Sequence, residues 1–302
     1  VTDGQSAASP VPTGDAEQAG PVWVKSERQL RREAELRGRA RRSTSVATAS
    51  TIVVLVALVV VVTSSPGWPR VRETFFSPEA FVDALPDVLR GILLNIKIFL
   101  IAEVFILVLG LLIALVRGLR SPVFFPLRAL AVLYTDVLRG IPTILLIYLV
   151  GFGIPALQLQ GAPSDPVALG IIALVLSYSA YVAEVFRAGI ESVHPSQRAA
   201  ARSLALSHGQ TMRYVVLPQA VRRVIPPLLN DFVALQKESA LVSVLGPLEA
   251  VRQAQIHVAS TFNYTPYLVA ALLFILMTVP LARFTDHLAA RVERRQTGGG
   301  TA

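Results

Sequence analysis

Long stretches without a single Asp, Glu, Lys or Arg alternate with short basic ones along this 302-residue chain. The uncharged windows cover 43–69, 140–164, 166–183 and 253–282. A helix crossing the hydrocarbon of a bilayer takes roughly 20 apolar residues, and each window can supply or help supply one. Adding two more charged apolar segments predicts six spans, at about 46–64, 88–116, 124–154, 167–187, 224–248 and 266–287. The expected class is an all-helical integral membrane protein, with one extra N-terminal helix before a core of five.

The segments between the spans alternate in charge. Lys25, Arg28, Arg31, Arg32, Arg37, Arg39, Arg41 and Arg42 precede the first apolar run. "RGLR" (117–120), the loop 188–223 and the tail "RVERRQ" (291–296) are also basic. The loop "GAPSDP" (161–166) has one acid and no base. Lys and Arg collect on the cytoplasmic side of membrane helices, so both termini and the 188–223 loop are expected inside. The first run starts some 45 residues in and no A-x-A site follows it, so it is expected to stay as an anchor.

These boundaries divide the chain into a cytoplasmic tail (1–44), an extra membrane helix (45–65), an external linker (66–87), a membrane domain (88–290) and a second cytoplasmic tail (291–302). Residues 1–24 are rich in Ser, Ala, Pro and Gly and are expected to be disordered. In 25–42, Glu27 with Arg31, Glu33 with Arg37 and Glu35 with Arg39 stand at i,i+4, which favours a juxtamembrane helix.

Composition narrows the class further. Hydrophobic residues make up 53% of the chain and charged ones only 16%, which a soluble domain would not need. The absence of cysteine excludes disulfides and Cys-ligated metals. The formal charge of +8 sits where it orients the spans, so it does not point to nucleic acid. His194, His208, His257 and His287 show no metal-ligand spacing, and no G-x-x-x-x-G-K-[ST], G-x-S-x-G or H-E-x-x-H occurs. No bound metal or cofactor is expected.

Two spans carry charge. The second contains Lys97 and Glu103, and the fifth contains Asp231, Lys237 and Glu238. One charge at the centre of a membrane helix costs about 2.5–3.5 kcal/mol, so these helices should face protein or a watery cavity. The charges could pair only with each other, as Lys237 with Asp231, or line a transport path. A zwitterion needs a cation for its carboxylate and an anion for its ammonium. Lys237 with Glu238, Asp136 with Arg139 on the third span, and Lys97 with Glu103 are the candidates; for Asp136 and Arg139 an interfacial ion pair is the alternative.

Between the fourth and fifth spans stands "HPSQRAAARSLALSHGQTMRYVVLPQA" (194–220), polar, basic and proline-terminated. It predicts two short helices. The first begins at Pro195 with Ser196 as N-cap; the second begins at His208 behind an S-x-x-Q capping box of Ser207 and Gln210. Pro218 should interrupt the second at or before Leu217. A DNA-binding helix-turn-helix is one reading, but membrane helices at both ends would press the unit to the bilayer. A solvated loop and a coupling element are the others.

"SQRAAARSLALS" (196–207) followed by "LPQAVRRVIPPLLNDFVALQKESAL" (217–241) resembles the EAA loop of ABC-importer permeases, in the branch that moves polar amino acids. "LYTDVLRGIPTILLIYLVGFGIP" (133–155) is similar to that family's FRG-TP helix, and "SYSAYVAEVFRAGIESV" (177–193) to its AAY-x-AE-x-(F/Y)RGGI segment. The resemblance covers about 88–292. It implies a dimeric type I permease, homo- or heteromeric, in a bacterial cell membrane, served by an extracytoplasmic solute-binding protein. It also implies a cytosolic ATPase dimer whose clefts receive the EAA loops, so that ATP and Mg are used by the partner.

Carried over, the coupling residues would be Gln197, Arg198, Ala199, Ala200, Ala201, Arg202, Leu204, Ala205, Leu206 and Ser207. The motif's glutamate is Ala199 here and its glycine is Ala205. The first change removes a contact worth on the order of 1.5–3 kcal/mol if desolvated. The second should stiffen the helix–turn junction, because Gly takes a positive φ cheaply and Ala does not. Other small polar solutes, such as an opine or a polyamine, and a transport-inactive scaffold or receptor that keeps the fold are the competing readings.

Overall fold

The computed structural model describes residues 26–119 and 121–297, and every regular element among them is helical. The chain divides into two compact units after Trp68. The first is dominated by α1 (Glu27–Thr63). Ser26 starts it with a capping box, its hydroxyl accepting from the Gln29 N–H while the Gln29 amide oxygen accepts from the Ser26 N–H. The basic segment and the first apolar run are thus one continuous helix of 37 residues. From Ser43 to Thr63 every side chain is exposed, and the segment is apolar around its whole circumference, as a helix facing lipid is. The disorder expected of 1–24, and the ion pairs expected along 27–39, fall outside the described residues and side chains.

The second unit holds α2 (Trp68–Phe75) from Pro69 on, α3 (Pro78–Arg117), α4 (Phe125–Gly140), α5 (Thr143–Ala156), α6 (Pro166–Glu191), α7 (Pro195–Ser203), α8 (His208–Thr211), α9 (Leu217–Glu238), α10 (Ala250–Thr261) and α11 (Thr265–Thr297). The span expected at 88–116 begins ten residues earlier, at Pro78. Ser77 caps it by accepting from the Ala80 N–H at 3.3 Å, and Pro78 stands in the first turn where its missing N–H costs nothing. The expected linker 66–87 is therefore largely helix.

α3 and α6 form the centre. Ile98, Ala102 and Ile106 of α3 pack with Leu174 and Val182 of α6, Ile147 of α5, Leu235 of α9 and Val242 beyond it. Hydrocarbon is as apolar as leucine, so helices in a bilayer associate through close packing, which small residues permit. Gly91 is the extreme case: a Cβ there would stand 2.6 Å from the Cα of Ala250. Backbone meets backbone at that point, and only glycine fits.

Ser43–Thr63 of α1, α3, α6 and α11 are long and apolar enough to cross a membrane, and α4 with α5 makes a fifth such segment if taken together. The chain is a multi-pass membrane protein. The third span is not the single helix expected over 124–154: α4 and α5 meet at 106°. Ile141 precedes Pro142 and is driven to extended backbone (φ −93°, ψ 128°), which breaks the helix there. α9 starts at Leu217 and ends at Glu238, and a tight 3-10 stretch, Ser239–Leu245, replaces the rest of the expected 224–248 helix. Gly246, at φ 98°, closes that stretch.

Candidate functional site: the two-helix loop and the polar residues behind it

α7 begins one turn-defining residue earlier than Ser196. The N-cap is His194, whose Nδ1 accepts from the Ser196 N–H at 3.2 Å and lies 2.7 Å from the Ser196 hydroxyl. With Pro195 fixed at the first helical position, Ser196 is already inside the helix and cannot cap it. Arg198 folds back to donate to the Ile190 carbonyl at 2.7 Å, and Ala201, 3% exposed, faces inward. Val193, Val216 and Ala220, with Ile190 and Met212, form the small core beneath the loop. Gln197, Ala199, Ala200, Arg202, Leu204, Ala205 and Ser207 are exposed, while Arg198 and Leu206 are half-buried. Leu204 is 77% exposed, a large apolar side chain at the tip of a basic helix.

Helix α7 ends in a Schellman motif. The Leu206 N–H donates to the Ala201 carbonyl at 3.2 Å and the Ala205 N–H to the Arg202 carbonyl at 2.9 Å. The motif requires a left-handed residue, and Ala205 takes that place at φ 57°. The turn keeps its shape with alanine present, at a strain of about 1 kcal/mol. Ala205→Gly should relieve it, slowing hydrogen exchange of the loop amides about fivefold. Exchange as fast as in the unmodified chain would mean that no strain is held there.

The capping box at α8 forms as its sequence suggests, with the Gln210 N–H donating to the Ser207 hydroxyl at 3.3 Å and the Ser207 N–H to the Gln210 side chain at 2.8 Å. Pro218 does not end this helix. Met212–Val216 widens into a π turn, the Leu217 N–H reaching back to the Met212 carbonyl, and α9 continues from there. The wider turn carries the backbone past the donor that Pro218 lacks. The loop therefore runs without a flexible break into the charged helix α9.

Behind the loop, arginines of three helices converge on Glu184 of α6. Arg117 of α3 donates to it at 2.9 Å, Arg187 binds it one turn on, and Arg139 of α4 stands at 4.0 Å. Arg117 also donates to Thr135 at 3.2 Å, and Arg187 pairs with Glu191. Arg139 lies over the Tyr181 ring at 5.7 Å, and the Tyr181 hydroxyl donates to the Arg139 carbonyl at 3.2 Å. Arg139 thus turns to Glu184, while its expected companion Asp136 is exposed.

The remaining candidates separate. Glu103 on α3 lies within electrostatic range of Asp231 on α9, and Tyr178 on α6 lies beside Glu238. All three acids are half-buried, and one oxygen each of Asp231 and Glu238 is buried without a hydrogen-bond partner. Lys97 and Lys237 are exposed, and among the described ion pairs none joins Lys237 to Asp231.

A second buried polar group was not visible in the sequence. Asn95 of α3 donates to Ser239 at 3.2 Å and to Glu249 at 3.1 Å, and its carbonyl accepts from the Ala250 N–H at 3.1 Å. Glu249 also caps α10, accepting from the Val251 and Arg252 N–H groups at 3.0 and 2.6 Å. Asn95, Ser239, Glu249 and Ala250 are all at zero exposure, and their hydrogen bonds latch the corner before α10 onto α3. Glu184 had a legible signal, standing at i,i+3 to Arg187; Asn95 and Glu249 are 154 residues apart and had none. His257 bonds Asp87 at 3.1 Å, and no group of metal-binding side chains occurs among the described residues.

Residues 106–294 match the family described as "Binding-protein-dependent transport system inner membrane component". The chain is 34% identical over 217 residues to the arginine transport system permease protein ArtQ of Bacillus subtilis, covering 72% of this chain and 95% of that one. It is 37% identical over 188 residues to the probable glutamine ABC transporter permease protein GlnM of the same organism, covering 62% and 84%. Among solved structures, a crystal structure of an amino acid ABC transporter with histidines shares 34% identity at a TM-score of 0.64, covering 70% of this chain and 96% of that one. The MetNI methionine ABC transporter in an inward-facing conformation shares the fold at 17% identity and a TM-score of 0.56, over 68% and 96%. The motifs, the two-helix loop and these likenesses agree: the chain belongs to the family of inner membrane components of binding-protein-dependent transport systems.

Proposed function

We propose that this chain is the membrane permease subunit of an ATP-driven importer for polar amino acids, in the class of glutamine, glutamate or basic amino acids. The observation that carries the reading is the family match running through the two-helix loop, together with relatives named for arginine and glutamine. The loop residues from Gln197 to Ser207 would dock on a separate cytosolic ATPase, which hydrolyses ATP with Mg. Alternating access would follow as ATPase closure moves α7 and α8, and through the π turn α9. A second permease subunit and an extracytoplasmic solute-binding protein complete the assembly. Segments 1–44 and 45–65 would lie outside the transport domain 88–290.

Six spans with both termini inside agree with the basic loops. On this topology a cysteine introduced by Ser207→Cys is labelled by an impermeant thiol reagent only after cells are opened. Labelling of intact cells would reverse the orientation.

Function is tested by reconstituting the subunit with its ATPase and solute-binding protein in vesicles and measuring ATP-dependent uptake of radiolabelled amino acids, an opine and a polyamine. Amino-acid uptake is expected. Uptake of only the other solutes would change the substrate class, and assembly without any uptake would favour a scaffold.

A further inference from the structure

We infer that the cleft between the two-helix loop and the adjoining ends of α3, α4 and α6 binds an anionic phospholipid by its phosphate. The inference rests on the inward placement of the loop proposed above. The cleft encloses about 350 Å³ and lies wholly within the second unit. Arg117, Arg128, Arg187 and Arg198 line it.

Among the described ion pairs, none includes Arg128 or Arg198. Arg128 donates to the Leu119 carbonyl at 3.0 Å and lies over the Phe125 ring at 5.7 Å, both neutral partners. Arg198 donates to the Ile190 carbonyl, and its Nε is buried with no hydrogen-bond partner. Arg117 and Arg187 share the carboxylates of Glu184 and Glu191. Four guanidinium groups therefore meet two carboxylates, an excess that suits one phosphodiester.

The other wall selects a lipid over a free anion. Leu115, Met212 and Leu217 line it, and Leu115, near the end of α3, and Leu217, at the start of α9, are exposed. An acyl chain leaving the cleft would lie along these two leucines while the headgroup stays on the arginines. Because Arg198 and Met212 belong to the loop side and Arg117 and Arg128 to the core side, one lipid would tie the two together. Anionic lipid would then tune how loop motion is passed on.

The test uses the full transporter complex in detergent with three probes: dioleoyl phosphatidylglycerol, dioleoyl phosphatidylcholine and inorganic phosphate. Phosphatidylglycerol should bind more tightly than phosphatidylcholine, and millimolar phosphate should not displace it. Arg128→Gln should weaken phosphatidylglycerol binding about fivefold, while Arg128→Lys, which keeps the charge, should retain most of it. Equal affinity in Arg128→Gln, an equal loss in Arg128→Lys, or displacement by phosphate alone would overturn the inference. As an arm without substitution, photoreactive phosphatidylglycerol should label peptides holding Leu115 and Leu217; labelling of other helices only would also overturn it. None of these readouts depends on sidedness, so a wrong topology would show only in the Ser207→Cys labelling.

Discussion

Leu204→Asp is expected to abolish ATP-driven uptake while the chain still inserts and assembles. Leu204 is 77% exposed at the C-cap of α7, so a carboxylate there is well hydrated in the free subunit. Its only local penalty is the unfavourable meeting with the helix C-terminus, about 0.3–1 kcal/mol. Docking into an ATPase cleft would strip that hydration, and an unpaired buried charge costs several kcal/mol. ATPase association should fall by orders of magnitude, read by pull-down and by loss of solute-stimulated hydrolysis. Ala199→Glu restores the carboxylate that related loops carry, on an exposed position of the same helix. It should tighten docking if the partner offers a cation and weaken it otherwise. Should Leu204→Asp leave both association and uptake unchanged, α7 is not where the motor docks.

Glu184→Gln should destabilise the membrane unit by about 3 kcal/mol. The amide keeps the shape of the carboxylate but removes the charge shared by Arg117, Arg187 and Arg139. Arg117 is the sensitive partner, since its side chain is 12% exposed. A buried cation left without its anion keeps its desolvation cost and loses the attraction that offset it. Arg139→Gln provides the internal comparison. Its contact with Glu184 is long, 4.0 Å, and its side chain is 40% exposed, so its removal should cost under about 1 kcal/mol. Thermal unfolding in detergent separates the two; equal losses would mean that Glu184 is not the node joining α3, α4 and α6.

The sequence by itself determined much of what depends on neighbours along the chain. Apolar run length marked the segments of α1, α3, α6 and α11 because hydrocarbon thickness sets the required length. The Ser207–Gln210 capping box placed the start of α8 because a cap is satisfied within four residues. Ala205 in place of the motif glycine drew attention to the helix–turn junction for the same local reason, and Ala205 does take a positive φ there. The positive φ is dictated by how a helix ends. The family motifs located the loop as a candidate site, since they too are short and contiguous.

Tertiary structure decided what depends on distant partners or on competition between local signals. At 194–196 two residues could cap a helix, and Pro195 at the first helical position handed the role to His194. At Pro218 a breaker was absorbed by a π turn, which the packing of Val216 and Ala220 against Val193 holds in place. The third span was expected as one helix, and the break at Pro142 with its 106° between α4 and α5 appears only in the fold. Most of all, charges were visible while their pairings were not. Arg139 was matched to Asp136 three residues away and instead faces Glu184, 45 residues on. Asn95 meets Glu249 only because Gly91 lets two backbones touch. Burial makes such pairings strong, and burial is a property of the folded assembly rather than of any segment within it.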